Sequence, residues 1–343
     1  MNSSPLYLQI RDRLLSDIAA GIFQNGSFIP TERELSELFT VSRKTIRSAL
    51  AELEGQGVLT RVQGRGTQIT YNTVGVSAPM DFIALVASAQ SPFFREFYSW
   101  FGEEAERHDS LVIFKEDSKG KLFRKEGLLQ MFFRKGVRNL VVWPYNFEID
   151  LEMIARARGL GMNVVFFDEE VETKSADAVL LDNKDSMSRL CRKMLAKKIP
   201  KKGILYLTFS DVSLRAVRER TDVFKQKIGG RILEIPFAEQ SEDKLESVLS
   251  ELKKNLPRGI ICATAELAVT LRHVLLGWGI ANEKVAISCI DDLPGMDGLG
   301  ITRIAQPMKK FAHLTYELLR KQNESGRDWK AKVYRLKGKL LKG

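Results

Sequence analysis

From Asp81 onward, short apolar runs alternate with helical stretches, and this alternation limits the available folds more than any other feature of the chain. The runs are Phe82–Ala87, Leu111–Phe114, Leu140–Val142, Val164–Phe167, Ala178–Leu181, Ile204–Leu207, Ile232–Ile235, Gly259–Ala263, Val285–Ile290 and Ile301–Ile304. Most are apolar throughout, as strands are when both faces of a sheet are covered. The helical stretches between them supply the crossovers that parallel strands need. So many strands in one body suit two doubly wound lobes better than one, with ligands held beyond the carboxyl ends of the strands, in the crevice between the lobes. The expected fold class is α/β, with this body spanning residues 81–343.

Residues 1–70 follow a different pattern. Tyr7, Ile10, Leu14 and Ile18 recur at helical spacing, and Gly21 closes that helix. Thr31 and Glu34 form a T-x-x-E capping box that opens a second helix, with Leu35 and Leu38 expected inward and an end near Phe39. Only Thr40 and Val41 separate it from Ser42, the N-cap of a third helix that runs to about Glu54. Ile46, Leu50 and Leu53 give this helix an inward face, while Arg43, Lys44 and Arg47 project elsewhere. Two helices joined by so short a turn have helix-turn-helix geometry. A free helix amino-terminus attracts phosphate, and an arginine can fork onto a guanine edge. Val58–Val62, Gly64-Arg65-Gly66 and Thr67–Thr70 then read as a β-hairpin, a wing with an arginine at its glycine-rich tip. Residues 71–80 lack periodicity and read as a linker.

The formal charge of +10 suggests an anionic partner but does not locate it. Residues 1–70 carry eight Lys/Arg against seven Asp/Glu, a net of +1, so the remaining +9 lies in the body. Cys191, Cys262 and Cys289 are far apart, without metal-ligand spacing, and read as reduced, buried thiols. His108, His273 and His313 fall in expected helices, away from any nucleophile, zinc or phosphate-loop signature. No catalysis, metal or cofactor is expected. No apolar run approaches membrane length and the start lacks an export pattern, which points to the cytoplasm and no membrane partner.

The run from Pro5-Leu6-Tyr7 through Thr31–Leu35, Val41–Arg47 and Gln63–Thr67 resembles the GntR family of bacterial regulators. By that resemblance Arg33, Arg43, Thr45, Arg47 and Gly64 contact operator DNA; Lys44 and Arg65 fit as added phosphate contacts on charge alone.

In the body, the strand ends offer Ser91-Pro92-Phe93-Phe94, Asp168, Asp182-Asn183, Phe237 and Asp291-Asp292, with Arg220 in the helix after the sixth strand. Carboxylates and an arginine bind vicinal hydroxyls, and aromatic rings offer apolar faces. With Ile290–Pro294 and Ile301–Pro307, these residues resemble the LacI/GalR effector domain, itself similar to periplasmic sugar-binding proteins. The resemblance places Phe93, Phe94, Asp168, Arg220, Phe237 and Asp291 in the effector pocket. The whole layout is similar to the arabinose repressor type. Two positions depart from the family: Thr264-Ala265 stands where it usually has Asn-Asp, and Val223 where it commonly has glycine. Plainer readings stay open: Phe93 and Phe94 as core, Asp182 as a helix cap, Asp168 on a solvated loop.

Together these features imply a sequence-specific transcriptional regulator, a repressor acting as a homodimer on double-stranded operator DNA. Its control would come from a small polar, carbohydrate-like effector. The alternative is a ligand-independent regulator whose body is only a dimerisation scaffold, for which Thr264-Ala265 speaks.

Overall fold

The computed structural model describes residues 5–343 except 20–21, 71–79, 88–91, 117–127, 145–148, 211–213, 237–240 and 326–328. Gly21, nearly all of the expected linker, Ser91 and Phe237 lie outside the described residues.

In the head, α1 (Leu6–Ala19), α2 (Glu32–Phe39) and α3 (Arg43–Gly55) precede the antiparallel hairpin β1 (Leu59–Val62) and β2 (Gly66–Ile69). Leu14, Ile18, Leu35, Ile46, Leu50, Leu53 and Ile69 form its buried centre. Leu38 does not join them and is 67% exposed. The inward stripe of this short helix runs from Leu35 to Phe39, one helical turn on, which leaves Leu38 on the flank. α1 also packs on two helices of the body, α5 (Leu128–Arg134) and α6 (Leu151–Gly159).

The body is two six-stranded sheets. The first lobe runs β3 (Phe82–Ala87), α4 (Pro92–Glu106), β4 (Leu111–Glu116), α5, β5 (Asn139–Val142), α6, β6 (Asn163–Phe167) and β7 (Asp177–Leu181). The chain then crosses to the second lobe through α7 (Asn183–Ala196), β8 (Ile204–Phe209), α8 (Arg215–Lys227), β9 (Arg231–Ile235), α9 (Glu242–Leu249), β10 (Gly259–Cys262), α10 (Ala265–Gly277), β11 (Ala286–Ile290) and β12 (Ile301–Ala305). It returns with α11 (Met308–Ser325), which packs on α4 and β6, and β13 (Val333–Leu336), then crosses a third time into β14 (Lys339–Leu341). The strand orders are β13-β7-β6-β5-β3-β4 and β14-β12-β11-β10-β8-β9, the same topology twice. All neighbours are parallel except β12 with β14. Strand order reverses around β3 and around β8, and in such sheets the carboxyl ends beside the reversal form a ligand crevice.

All ten expected strands are present, with boundaries shifted by a residue or two. β13 and β14 are additions that segments of three to four residues set among lysines do not announce. The three crossings meet at Gly338, whose carbonyl accepts from Arg189 Nη1 at 2.7 Å. A Cβ there would overlap Ile304 Cγ2 and lie 2.9 Å from the Ala305 carbonyl and 3.3 Å from Leu181 Cδ1. Gly338→Ala is therefore expected to cost about 1–3 kcal/mol by overpacking. Urea unfolding measures it, and an unchanged midpoint would show that the crossings yield freely.

Gln322 fixes α11 to the first sheet. Its amide accepts from the Val164 N–H and donates to the Val164 carbonyl and to Asp177, and Asp177 in turn accepts from Trp329 and the Lys332 N–H. The three cysteines are buried and unpaired, and burial pushes the Cys191 thiol up to about 12. His273 and His313 lie in α10 and α11 against Glu242 and Glu104. His108 lies in the turn after α4, not in a helix, stacked on Tyr316. Among the described residues no helix is long and apolar enough to cross a membrane.

Candidate functional site

Two surfaces carry the sequence-derived candidates. On the head, Thr31 closes a complete capping box: its hydroxyl accepts from the Glu34 N–H, while Glu34 accepts from the Thr31 N–H at 2.7 Å. Thr40 adopts a left-handed conformation (φ 53°) that ends α2 and turns the chain at once into the next helix. The Ser42 hydroxyl accepts from the Thr45 N–H at 3.2 Å and starts α3. These local devices aim the amino-terminus of α3 outward. Arg33, Arg43, Lys44 and Arg47 are exposed and Thr45 is half-buried, with Ser42 Oγ 2.9 Å from its hydroxyl.

Arg47 is not idle in the free protein. Its Nη2 lies 2.9 Å from Glu32 Oε2, and the Arg61 guanidinium lies 3.8 Å from the same carboxylate. The hydrogen bond from Arg47 holds the Glu32 carboxyl below the usual range. Glu32 thus ties α2, α3 and the wing together on one basic face. Sequence reasoning passed over Glu32, although its place at the first residue of α2 could have suggested an arginine partner. At the wing tip Gly64 (φ +72°) and Gly66 (φ +113°) take conformations suited to glycine, and the Arg65 guanidinium sits 5.5 Å from the centre of the Phe28 ring. Arg65 remains exposed.

The second surface is the crevice. Among the described residues five non-glycines have positive φ: Thr40, Asp109, Lys198, Asp168 and Asp291. The first three follow helices, whereas Asp168 and Asp291 stand at the carboxyl ends of β6 and β11. Left-handed backbone away from helix ends is costly and clusters at ligand sites. Arg220, only 4% exposed, joins them from α8, donating from Nε to Asn183 Oδ1 (2.8 Å) and from Nη1 to the Ala263 carbonyl (2.7 Å). Gln306 donates to Asp291 Oδ1 at 2.5 Å. Burial pushes the Asp168 carboxyl up to about 8; Arg220 pulls against this, and Asp291 and Glu169 add to it. Burial likewise raises Asp291, against Arg220 and the Gln306 hydrogen bond.

Asp168 is partly exposed to solvent as a residue, yet its Oδ1 is buried and without a partner among the described residues, so it faces the crevice and not a solvated loop. Asp182 takes the plainer of its two readings: it caps α7 by accepting from the Asp185 N–H at 2.9 Å. Phe93 and Phe94 are mostly core, at 8% and 2% exposure, stacked among Trp143, Phe97 and Phe167 as a floor beneath the crevice. Thr264 caps α10 and Ala265 is buried, leaving Glu266 as the acid of that turn. Asn183, which the sequence offered beside Asp182, and Gln306 join the crevice through Arg220 and Asp291, and Glu266 lies within electrostatic reach of both although only its neighbours Thr264 and Ala265 were singled out from sequence. Across the mouth, Glu170 of the first lobe pairs with Arg215 of α8 at 3.1 Å.

Asp168 also gives a pH prediction. Its pKa in the folded chain lies above the ordinary 3.8, so between those values the folded state holds a proton that the unfolded state lacks. That stability is complete at acid pH and is lost as pH rises through about 8. Asp168→Asn is expected to flatten this decline and raise the melting temperature most above pH 8. Parallel pH profiles of variant and parent would contradict the burial of that carboxyl.

Residues 6–69 match the family described as "Bacterial regulatory proteins, gntR family". Over 62 residues, 18% of this chain and 26% of that protein, the chain is 55% identical to the probable fructoselysine utilization operon transcriptional repressor of Escherichia coli K12. It is 29% identical over 140 residues to the arabinose metabolism transcriptional repressor of Geobacillus stearothermophilus, covering 41% of this chain and 38% of that one. The chain thus spans only about a quarter to two fifths of the length of these curated relatives. A LacI family transcriptional regulator from Enterococcus faecium, solved with bound ribose, superposes with a TM-score of 0.65 over 76% of this chain and 97% of that one, at 17% identity. That likeness establishes the fold of the body. The chain therefore carries a helix-turn-helix head of the gntR family of bacterial regulatory proteins on a two-lobed body with the fold of the LacI-family regulators.

Proposed function

We propose that the protein is a sequence-specific transcriptional repressor whose hold on operator DNA is set by a small polar effector, a sugar or related metabolite, bound between the lobes. The observation that carries this reading is the pairing of two sites on one chain. One is an outward, basic start of α3; the other is a crevice where Asp168, Asp291 and Arg220 converge with hydrogen-bonding capacity left over. In this reading Arg43, Thr45 and Arg47 approach base edges, while Arg33, Lys44, Gly64 and Arg65 hold the phosphates. Asp168, Arg220 and Asp291 take the effector's polar groups, above the Phe93 and Phe94 floor.

Among the described residues the lobes meet at three chain crossings, at the Glu170–Arg215 pair and at Glu169, which accepts from the Arg215 N–H, so a ligand that draws them together can shift the chain between two arrangements. α1 rests on the first lobe, which gives the head a path for sensing that shift. A homodimer fits a two-fold operator. The edge strand β4, with Leu111 62% and Ile113 38% exposed, suits a contact between copies, since bare apolar edges are otherwise aggregation-prone. The protein would work in the cytoplasm, without catalysis.

The test has two parts: selection of an operator from random duplexes, then thermal-shift screening of pentoses, hexoses and their derivatives, with operator affinity remeasured for each stabilising compound. A compound that binds the body but leaves operator affinity unchanged sinks the coupling. Operator binding with no stabilising compound favours the scaffold reading, which the loss of polar groups at Thr264-Ala265 supports.

A further inference from the structure

The polar groups of the crevice are unbalanced in charge and in hydrogen bonding. Asp168 and Asp291, at the ends of β6 and β11, and Glu266 of α10 lie within electrostatic reach of one cation among the described residues, Arg220. Glu96 on α4 faces Asp291 and Asp292 from the first lobe. Other acids nearby have cations of their own: Glu169 answers to Arg218 and Arg215, and Asp292 to Arg303. Arg220 is already committed to Asn183 and the Ala263 carbonyl.

Acceptors are in excess as well. Asp168 Oδ1 and Gln306 Oε1 are both buried without a partner among the described residues. Gln306 is only 9% exposed, and its amide nitrogen already donates to Asp291. A neutral polyol brings one donor and two acceptor lone pairs with every hydroxyl and leaves the charge as it was. An ammonium group brings three donors, no acceptor and a positive charge.

We propose that the effector carries a protonated amine, as in an amino sugar, seated against Asp168 and Gln306 while its hydroxyls meet Arg220 and Asp291. This rests on the reading of the crevice as the effector site. It also has a proton signature. Burial holds the Asp168 carboxyl protonated up to about pH 8, with Arg220 from α8 opposing and Asp291 and Glu169 reinforcing. An arriving ammonium displaces that proton; a neutral sugar has no cause to.

Isothermal titration of the full chain with two matched pairs, glucosamine against glucose and galactosamine against galactose, tests this at pH 7 in two buffers of different ionisation enthalpy. The amine of at least one pair is expected to bind about tenfold tighter or more, the scale of one charge-assisted contact. It should release a proton on binding. In Asp168→Asn, checked for cooperative unfolding, both the preference and the proton release should vanish. Equal or tighter binding of the neutral partner in both pairs overturns the amine assignment and leaves effector control standing. So does tight amine binding that survives Asp168→Asn with its proton release intact. If none of the four compounds binds a chain that still binds its selected operator, the assignment also falls, whereas failure to bind any selected duplex is the separate result that sinks the regulator reading.

Discussion

Arg220→Ala is expected to destabilise the body by about 3–5 kcal/mol, because it removes one partner from a buried, charged cluster and leaves the others uncompensated. Among the described residues Arg220 is the one cation acting on Asp168, Asp291 and Glu266, and it also satisfies Asn183 and the Ala263 carbonyl. The loss should depend on pH, and the sign follows from the carboxyls. Burial has already raised Asp168 and Asp291 above the ordinary 3.8 in the folded chain, and Arg220 opposes that rise. Without the guanidinium both values climb further, so the folded state must keep its protons to higher pH than before. Stability then falls with pH over a wider window. Near pH 5, where the Asp168 carboxyl is protonated in both proteins, the variant should lie closest to the parent; at pH 8.5 the gap should be largest. Arg220→Lys keeps a charge but loses the planar fork, so it should fall between the two. Urea unfolding at both pH values decides the matter. An equal deficit at pH 5 and 8.5 would mean that Arg220 acts by packing and hydrogen bonding alone.

The fold was legible because it rests on patterns that burial writes directly into sequence. A strand covered on both faces is apolar at nearly every position, as Val164–Phe167 and Ile204–Leu207 are, and ten mostly apolar runs leave few architectures open. The capping box at Thr31 and the N-cap at Ser42 are equally local, each needing only a side chain and a backbone N–H a few residues away. What stayed hidden depends on partners distant along the chain. Glu32 meets Arg47 and Arg61, Gln306 meets Asp291, and Gln322 bridges Val164 and Asp177. Nothing within a few residues of any of them announces the pairing. Phe93 and Phe94 show a related difficulty, since an aromatic ring at a strand end is written the same way whether it faces a ligand or the core beneath it.

Net charge misleads for a reason the structure makes plain. The head balances its arginines with Glu32, Glu37 and Glu54, so it presents a directed basic face with almost no net charge. The excess lies elsewhere. Arg192, Lys193, Lys197, Lys198, Lys201 and Lys202 sit exposed near the start of β8, without an ion pair among the described residues. An interface is marked by where cations point and what holds them, not by how many the chain has.

Arg43→Ala and Arg47→Ala are each expected to weaken operator binding by about 1–3 kcal/mol, roughly 5- to 150-fold, and to relax preference at one operator position apiece. The two arginines start from different states. Arg43 is exposed and has no ion pair among the described residues, so its whole fork is available to a base edge. Arg47 arrives bound to Glu32, and meeting DNA means sharing or leaving that carboxylate. Part of its contact energy is thereby offset, and the cost is lowest where a guanine edge replaces both hydrogen bonds. Glu32 therefore works as a discriminator: Glu32→Gln should strengthen binding to unrelated duplexes more than binding to operator, narrowing the ratio between them. Arg65→Ala differs in kind. As a phosphate contact it should weaken all duplexes alike and reduce the salt slope by about 0.9. Quantitative binding to operator, to operator with single substitutions and to random duplex separates the three behaviours. If Arg43→Ala lowered affinity uniformly across every duplex, α3 would be gripping the backbone rather than reading the groove.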